Sequence, residues 1–301
     1  MQQKKERVTL AIDLGATYIR VGFVRLTKDG MPEIIDQIKD KSVRGNKAAL
    51  EEQMISLLKQ MISMHPDLTF STAGVSACGI VQDGRTAAQL PNLDVKDLHI
   101  ADLIEKTIPG VRCLISNDAN AAALSESLIG ASREYPNSIF FTISSGIGMG
   151  YIHQHRLIDV PVEIGHLVTY IGGIGLCEVE QYLSGDGIPR LCEALGLTAV
   201  PTPEFFERIR AKDPSYLPVY HLWLKNLGML IGNLQRMFAV DVFVLGGGVL
   251  KSSDVFIEDL LRVSSASALP YPVKPVKFVP SRFGQDAGLL GAAALGFSLK
   301  D

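Results

Sequence analysis

Residues 8–24, with the sequence VTLAIDLGATYIRVGFV, constrain the fold most because they predict a strand, a tight glycine turn and a second strand. Both runs are rich in aliphatic, β-branched and aromatic residues, which favour strands. The turn between them carries Asp13, Gly15 and Thr17. A carboxylate, a flexible backbone and a hydroxyl at a strand end suit a magnesium-bound polyphosphate. By itself, however, the stretch is explained equally well by an ordinary hairpin with a solvated turn.

The composition is that of a globular protein and excludes several other classes. With 301 residues, of which 47% are hydrophobic and 20% charged, the chain can build two domains with separate cores. The net charge of -3, without a dense Lys/Arg run, argues against nucleic acid as a partner. The apolar run behind the basic start is broken by Asp13, so we expect no signal peptide, no membrane partner and a cytoplasmic protein. The cysteines are dispersed, which favours reduced thiols: they are Cys78, Cys113, Cys177 and Cys192.

Strands and helices alternate along the first half of the chain, as in α/β proteins. The predicted strands are residues 33–39, 70–77 and 111–115, and the predicted helices are residues 46–64, 97–108 and 121–128. Asn46 is placed to cap the first of these helices. The strand over 70–77 ends in Cys78 and Gly79, and ligands are commonly bound at such a strand end in α/β sheets.

Polar residues gather at two points of this half. Asn92 follows Pro91 in a loop, where it either contacts a ligand or caps the next helix. Asn117, Asp118 and Asn120 lie where a strand gives way to an alanine-rich helix, whose N-terminus favours an anion. Helix capping explains one such residue, so three together leave at least one that needs another explanation, such as a binding site.

Residues 138–152, SIFFTISSGIGMGYI, repeat the plan of the opening stretch, with Ser144, Ser145 and Gly146 in the turn. Two such strand-turn-strand segments, about 130 residues apart, suggest a duplicated βββαβα core that binds a nucleotide between its halves. The turn does not fit the dinucleotide fingerprint, and the chain has no P-loop motif.

The second half adds a long amphipathic helix over 220–238, a strand over 240–245 and a small-residue helix over 287–299. Three glycines, Gly246, Gly247 and Gly248, follow the strand. They would let a flat ring such as adenine lie against the backbone, or they simply form a tight turn.

In type and order, these motifs resemble those of the ROK family of sugar kinases. This family belongs to the group that shares the actin and hexokinase ATPase fold. The motifs that carry the resemblance are DLGAT at Asp13, PN at Pro91, NDAN at Asn117, SSGIGMG at Ser144, EIGH at Glu163, ExxxSG at Glu180, LGGGV at Leu245 and AGLLGAA at Ala287. The resemblance implies a two-lobed, ribonuclease H-like α/β fold with a duplicated βββαβα core and a cleft between the lobes. We expect a smaller lobe over residues 1–116 and a larger one over 117–301, with the helix over 287–299 packing back on the first.

The resemblance also implies roles for individual residues. Asp118 would be the general base. Asp13 would hold magnesium through ATP. The other expected ATP-binding residues are Gly15, Thr17, Ser145, Gly146, Gly246, Gly247 and Gly248, and the expected sugar-binding residues are Asn92, Asn117, Asp118, Glu163, His166 and Glu180.

The chain departs from the family pattern in two places. Ser144 stands where a glycine is usual, which puts phosphate contact at that residue in question. Most members also have a zinc-binding cysteine loop after the ExGH motif, whereas this chain has Ile171, Gly173 and Glu178 at those cysteine positions, with Cys177 out of register. One His and one Cys cannot form a four-ligand site, so we predict no zinc. In its place we expect packing of Ile171, Ile174, Leu176 and Val179.

The function expected from the resemblance is an ATP-dependent, glucokinase-like kinase that phosphorylates the 6-hydroxyl of a hexose or a similar sugar, as a homodimer or homotetramer. The alternatives are a β-glucoside kinase with a disaccharide substrate and a non-catalytic sugar-binding or regulatory protein. A repressor is disfavoured because only seven residues precede the first predicted strand. Glucose, N-acetylmannosamine, allose, fructose and β-glucosides are all substrates in this family, and the sequence does not choose among them.

Overall fold

The computed structural model describes residues 6–270 and 274–299. Residues 1–5, part of the basic start considered above, lie outside this range. By their contacts the residues form two compact units. The first unit comprises Met1–Arg133, Arg156–Pro161 and Phe283–Asp301, and the second comprises Glu134–His155 and Val162–Arg282. Residues 117–133, assigned above to the second lobe, are therefore grouped with the first unit.

The elements alternate as expected for an α/β protein. The strands are β1 (Arg7–Leu14), β2 (Tyr18–Leu26), β3 (Pro32–Lys41), β4 (Thr72–Ala77), β5 (Ile80–Gln82), β6 (Thr86–Leu90), β7 (Val95–Leu98), β8 (Arg112–Asn117), β9 (Ser138–Ile143), β10 (Ile147–His153), β11 (Arg156–Leu157), β12 (Val168–Ile171), β13 (Gly175–Glu178), β14 (Val242–Gly246) and β15 (Phe278–Pro280). The helices are α1 (Lys47–Met64), α2 (Ile100–Thr107), α3 (Asp118–Ile129), α4 (Val179–Leu183), α5 (Gly187–Ala194), α6 (Thr202–Arg210), α7 (Leu217–Phe238), α8 (Ser253–Ala268) and α9 (Ala287–Ser298). Short 3-10 helices cover Pro91–Leu93, Ile164–His166, Gly248–Ser252 and Gly284–Asp286.

The main sheet of the first unit has the order β3-β2-β1-β4-β8. β1, β2 and β3 are antiparallel neighbours, whereas β4 and β8 run parallel to β1. The predicted opening hairpin is confirmed. Helix α9 packs against β1, β4 and α3. A glycine on β4 allows this close approach, since a Cβ on Gly74 would lie 1.9 Å from the Ala292 carbonyl oxygen.

Helix α1 follows its sequence pattern closely. The Asn46 side chain accepts a hydrogen bond from the Ala49 N–H at 3.0 Å, which confirms the predicted N-cap. One face of the helix is buried and contributes to the core, through Leu50, Met54, Leu57, Leu58 and Met61.

The second unit repeats the connectivity of the first. Four neighbouring strands of its larger sheet follow the order β10-β9-β14-β15, with β9 and β10 antiparallel and β14 and β15 parallel to β9. This is the arrangement of β2-β1-β4-β8, so the predicted duplication of the core is confirmed. Helices α7 and α8 pack on each other, and the fully buried Trp223 on α7 donates its Nε1–H to the Leu183 carbonyl oxygen at 2.8 Å.

The segment before α2 differs from the sequence expectation. The helix predicted from residue 97 begins at Ile100, because Val95–Leu98 forms strand β7 beside β6. Asp97 adopts a φ of 53°, which a regular helix does not allow. Asn92 lies in the 3-10 helix Pro91–Leu93, and the residue that precedes α2 is His99, so Asn92 does not cap α2.

A β-hairpin of β12 and β13 occupies the place of the cysteine loop. Ile171 and Val179 are buried and Ile174 packs on the same core, as predicted. The expectation for Leu176 is wrong, since this side chain is 79% exposed. The reason is strand alternation, because Leu176 lies opposite Tyr170 on the outer face, while Cys177 faces the core.

All four cysteines are free thiols, and Cys113, Cys177 and Cys192 are buried. Their distribution through separate elements agrees with the expectation of reduced thiols. Within residues 6–270 and 274–299, no helix has both the length and the apolar character needed to cross a membrane.

Candidate active site

Asp13 lies near the end of β1, directly opposite Arg20 on β2. Arg20 donates to the Asp13 Oδ2 atom from Nε at 3.0 Å and from Nη2 at 2.8 Å, and from Nη1 to Asp286 Oδ1 at 3.3 Å. Burial raises the pKa of the Asp13 carboxyl, and the Arg20 guanidinium acts against that rise. Arg20 was not among the predicted site residues, although the hairpin register places it beside Asp13 and opposite charges favour such a cross-strand pair.

The turn from Gly15 to Thr17 is held through its carbonyl oxygens. The Ser42 Oγ–H donates to the Gly15 oxygen at 2.8 Å, and the Ser42 N–H donates to the Thr17 oxygen at 3.1 Å. Arg44 donates to the Ala16 oxygen from Nη2 at 2.6 Å and from Nε at 3.1 Å. Carbonyl oxygens repel phosphate, so their pairing with these donors makes the turn better suited to an anion.

Asn117 and Asp118 form the junction of β8 and α3. The Asn117 Oδ1 atom accepts from the Ala119 N–H at 2.9 Å, and its Nδ2 donates to the Gly79 oxygen at 3.1 Å. The Asp118 Oδ1 atom accepts from the same Ala119 N–H at 2.8 Å. Asp118 is exposed, and its position in the first turn of α3 favours the ionised carboxylate.

Sheet register brings these carboxylates to one edge of the first sheet. Asp13 on β1 lies beside Ser76 on β4, and Ala77 lies beside Asn117 on β8. Cys78 follows β4 between them, and its N–H donates to the Leu14 oxygen at 3.0 Å. Burial, then the charges of Asp118 and Asp13, raise the pKa of the Cys78 thiol to about 12. Cys78 therefore lies close to both carboxylates, at the strand end that the sequence indicated for ligand binding.

Asn120, the third polar residue of that junction, has a structural role. It is buried, and its Nδ2 donates to Asp159 Oδ1 at 3.0 Å. Ser116 donates its Oγ–H to the same oxygen at 2.9 Å. These bonds hold the segment Arg156–Pro161 to the first unit, where β11 also contacts α3.

Gly288, in the first turn of α9, lies against Asp13. A Cβ added to Gly288 would be 2.5 Å from the Cγ and from both carboxylate oxygens of Asp13. Only glycine therefore allows α9 to approach the carboxylate this closely. The sequence analysis predicted the helix but not this contact.

In the second unit, the turn between β9 and β10 places Ser145 at an exposed tip. The Ser144 N–H donates to the Gly146 oxygen at 2.9 Å, and the Ser144 oxygen accepts from the Gly185 N–H at 2.7 Å. The Ser144 backbone is thus fixed within the protein. A Cβ on Gly146 would lie 2.6 Å from Glu180 Oε2, so glycine is required for the turn to contact Glu180.

The second unit brings together Glu163, His166 and Glu180, and Glu178 lies beside His166. The His166 Nδ1 atom lies 2.9 Å from Glu178 Oε2, and this hydrogen bond is the main cause that raises the pKa of His166. Burial raises the pKa of Glu163. His166 acts against this rise, and the charge of the neighbouring Glu180 adds to it. Glu180 Oε2 also accepts from the Ile147 N–H at 3.2 Å.

The three glycines after β14 differ in their surroundings. A Cβ on Gly246 would meet the Phe140 ring at 2.7 Å, and one on Gly247, whose φ is 95°, would meet the Ile143 oxygen at 2.2 Å. Packing and backbone conformation therefore explain these two glycines. A Cβ on Gly248 would have no other atom within 4 Å, so open space at this position is compatible with a ligand.

The structure thus groups the predicted site residues into two sets, one in each unit. The first unit contains Asp13, Gly15, Thr17, Asn92, Asn117 and Asp118, and the second contains Ser145, Gly146, Glu163, His166, Glu180, Gly246, Gly247 and Gly248. Asn92 is exposed. Among the residues that the structure describes, no three His, Cys, Asp or Glu side chains are arranged to hold a metal ion together.

Comparison with known proteins identifies the family of the chain. The model of the ROK family matches residues 9–297. The chain is 26% identical to a glucokinase of Halalkalibacterium halodurans, over 96% of this chain and 95% of that protein. It is 30% identical to an N-acetyl-D-glucosamine kinase of Mannheimia succiniciproducens, over 74% of this chain and 80% of that protein.

A solved structure shows the same fold. The ROK hexokinase of Thermus thermophilus superposes with a TM-score of 0.82 and 26% identity, and the match covers 98% of each chain. The fold is therefore the actin and hexokinase-like fold, as the resemblance implied. Because the family match spans nearly the whole chain and the relatives are sugar kinases, the chain belongs to the ROK family and is an ATP:sugar phosphotransferase.

Proposed function

We propose that the chain phosphorylates the 6-hydroxyl of a hexose or hexose-like sugar, with Asp118 as the general base. The observation that carries this proposal is the position of Asp118, an exposed carboxylate at a helix N-terminus and at the same sheet edge as Asp13. One carboxylate is thus available for an acceptor hydroxyl and the other for a metal-bound phosphate.

Asp118 would act late in the transfer. A sugar hydroxyl has a pKa far above that of a carboxylate, so its proton moves to Asp118 only as the oxygen bonds to phosphorus. The base must therefore be ionised near pH 7, and the helix N-terminus favours this state. Asn117 helps to position Asp118 because it caps the same turn.

The residues around Asp13 fit a magnesium-bound triphosphate. Asp13 supplies a carboxylate of the type that Mg²⁺ prefers, while Gly15 and Thr17 supply a turn whose carbonyls are already paired. In the second unit, the exposed Ser145 and the neighbouring Gly146 would contact phosphate. Residues Gly246, Gly247 and Gly248 would border adenine, with open space at Gly248. When bound, magnesium neutralises phosphate charge, which is a main part of catalysis in phosphoryl transfer.

Sugar hydroxyls would be recognised by amide, carboxylate and imidazole groups. These groups belong to Asn92, Asn117, Glu163, His166 and Glu180. A buried polar group left unmatched by the wrong sugar costs about 1–3 kcal/mol, which is enough to discriminate between epimers.

The proposal is tested by incubating the purified protein with ATP, magnesium and a panel of sugars while ADP release is followed. The panel contains glucose, N-acetylglucosamine, N-acetylmannosamine, allose, fructose and a β-glucoside disaccharide. We expect sugar-dependent ADP release and, by phosphorus NMR, a product phosphorylated at the 6-position. Phosphorylation at the anomeric position, or no release with any sugar, would contradict the proposal.

We also infer that the chain needs no structural zinc and forms a homodimer or homotetramer. The buried Ile171 and Cys177 support the first inference, because the hairpin has an apolar interior. The exposed apolar side chains of Val168, Tyr170 and Leu176 support the second, since association would cover them. Metal analysis should find no stoichiometric zinc, and sedimentation analysis should give two or four chains.

A further inference from the structure

We propose that Glu178 is a positioning residue for His166, whose ring it holds through Nδ1 so that Nε2 is the nitrogen presented to the sugar. This inference rests on the proposed function, in which His166 contacts the substrate. Glu178 is the last residue of β13 and was not among the predicted binding residues.

The backbone on both sides of this contact is well fixed. Glu178 lies opposite Val168 in the hairpin, and the next residue, Val179, is buried and donates its N–H to the Leu167 oxygen at 3.0 Å. The His166 N–H donates to the Glu163 oxygen at 3.1 Å. The distance of 2.9 Å between His166 Nδ1 and Glu178 Oε2 therefore joins two anchored segments.

The contact also determines the chemistry of the ring. A carboxylate accepts but does not donate, so it selects the form of His166 with a proton on Nδ1. In the neutral ring, Nε2 is then an acceptor for a sugar hydroxyl. In the imidazolium, Nε2 is a donor. Without Glu178 the ring could flip or adopt the other tautomer, and either change would alter the hydrogen bond that Nε2 makes.

Other charged groups near His166 also raise its pKa. Strand β10 and helix α4 pack on Ile164–His166. Helix α4 contributes Glu180, whose charge, together with that of Glu163, raises the pKa of His166 further, and it also carries Tyr182. Strand β10 carries Tyr151 and His153, whose Oη and Nδ1 atoms hydrogen-bond to each other at 3.2 Å.

The contribution of this pair to stability is expected to be small, so stability alone does not reveal its role. The side chains of His166 and Glu178 are 56% and 50% exposed, and such pairs contribute little to stability. Removal of Glu178 should therefore leave the thermal unfolding temperature almost unchanged. An effect on sugar affinity and on the ring tautomer would identify a positioning role.

The test compares Glu178→Ala and Glu178→Gln with Asp36→Asn. Asp36→Asn weakens a similar pair, since His65 Nε2 lies 2.8 Å from Asp36 Oδ2 in the first unit. Sugar affinity is measured by calorimetry without ATP, over a range of pH. The tautomer and pKa of His166 are measured by nitrogen NMR.

In Glu178→Ala we expect about tenfold weaker sugar binding, a lower His166 pKa and loss of the Nδ1–H preference. Glu178→Gln should lower the pKa as well but retain most of the affinity, because the amide oxygen still accepts from Nδ1–H. Asp36→Asn should change none of the three.

The proposal would be overturned if Glu178→Ala bound sugar as tightly as wild type, with or without a change of tautomer. It would also be overturned if the wild-type protein did not bind sugar. A wild-type protein that binds sugar but releases no ADP would instead refute the kinase function. The calorimetric comparison would then still decide the role of Glu178.

Discussion

Arg20 donates two hydrogen bonds to the same oxygen of Asp13, Oδ2, at 3.0 and 2.8 Å. The contact with Asp13 therefore uses only one of the two carboxylate oxygens. Because burial raises the pKa of Asp13 and Arg20 opposes this rise, the guanidinium keeps the carboxylate available in its ionised form. Arg20 is thus expected to set the lowest pH at which Asp13 can bind metal.

Substitution of Arg20 by Gln should shift the pH dependence of the reaction. Without the guanidinium the pKa of Asp13 rises further, so the carboxylate becomes protonated at a higher pH. The acid limb of kcat/KM for magnesium ATP should therefore move to higher pH, and the maximal rate should fall. Arg25→Gln is the matched control, because Arg25 on the same strand pairs with the exposed Glu33, at 3.5 Å, and not with Asp13. An acid limb at the same pH in Arg20→Gln and wild type would remove Arg20 from this role.

Gly288→Ala should reduce activity through a single methyl group. The new Cβ would lie 2.5 Å from the Asp13 carboxylate, so either the carboxylate or the first turn of α9 must move. We expect kcat/KM for magnesium ATP to fall by about 10²-fold, since displacement of a positioned group by about 1 Å has this effect.

The control is Gly291→Ala on the same helix. Its Cβ would approach the backbone of Ala121 on α3, at 2.9 Å, and not Asp13. Gly291→Ala should lower the thermal unfolding temperature with a smaller loss of activity per folded molecule. Equal losses of activity in the two variants would argue against a specific effect on Asp13.

Local sequence patterns predicted part of the fold and of the site, but not the contacts between residues that are distant in the chain. The turn at Gly15 and the cap at Asn46 are local features, so the sequence predicted both. The Gly288 contact joins residues that are distant in the chain, and no local pattern indicates it. Asp97 and Leu176 were misplaced because tertiary structure decided their environment, through a left-handed backbone at Asp97 and strand alternation at Leu176.

Asp118→Asn should abolish most turnover while leaving the fold intact. The amide oxygen can still accept from the Ala119 N–H, but the amide cannot take a proton from the sugar. We expect kcat to fall by about 10²–10⁴-fold, with sugar affinity within about tenfold of wild type. Asp102→Asn is the control, since Asp102 is an exposed partner of Arg85 at the surface of α2. Comparable turnover in Asp118→Asn and wild type would exclude Asp118 as the base.

Cys78 should react slowly with thiol reagents despite its partial exposure. Its pKa of about 12 leaves roughly 10⁻⁴ of the thiol ionised at pH 8, and the thiolate is the reactive form. The charge of Asp118 contributes to this high pKa, so Asp118→Asn should accelerate modification. The rate is measured with a chromogenic disulfide and assigned by mass spectrometry, with Cys78→Ser as the control. An unchanged or slower rate in Asp118→Asn would contradict the electrostatic link between the two residues.

The two faces of the β12–β13 hairpin should differ sharply in their sensitivity to mutation. Ile171 is fully buried in the core of the second unit, whereas Leu176 is 79% exposed. In the dissociated chain, Ile171→Ala should lower the free energy of unfolding by about 2–5 kcal/mol because it leaves a cavity, and Leu176→Ala should change it by less than about 0.5 kcal/mol. Urea titrations of both variants, followed by the fluorescence of Trp223 in the same core, measure the difference. In the proposed oligomer, where Leu176 would be covered, Leu176→Ala should also weaken association, so its effect should increase with protein concentration. If Leu176→Ala were as destabilising as Ile171→Ala in the dissociated chain, the expected difference between the two faces would be wrong.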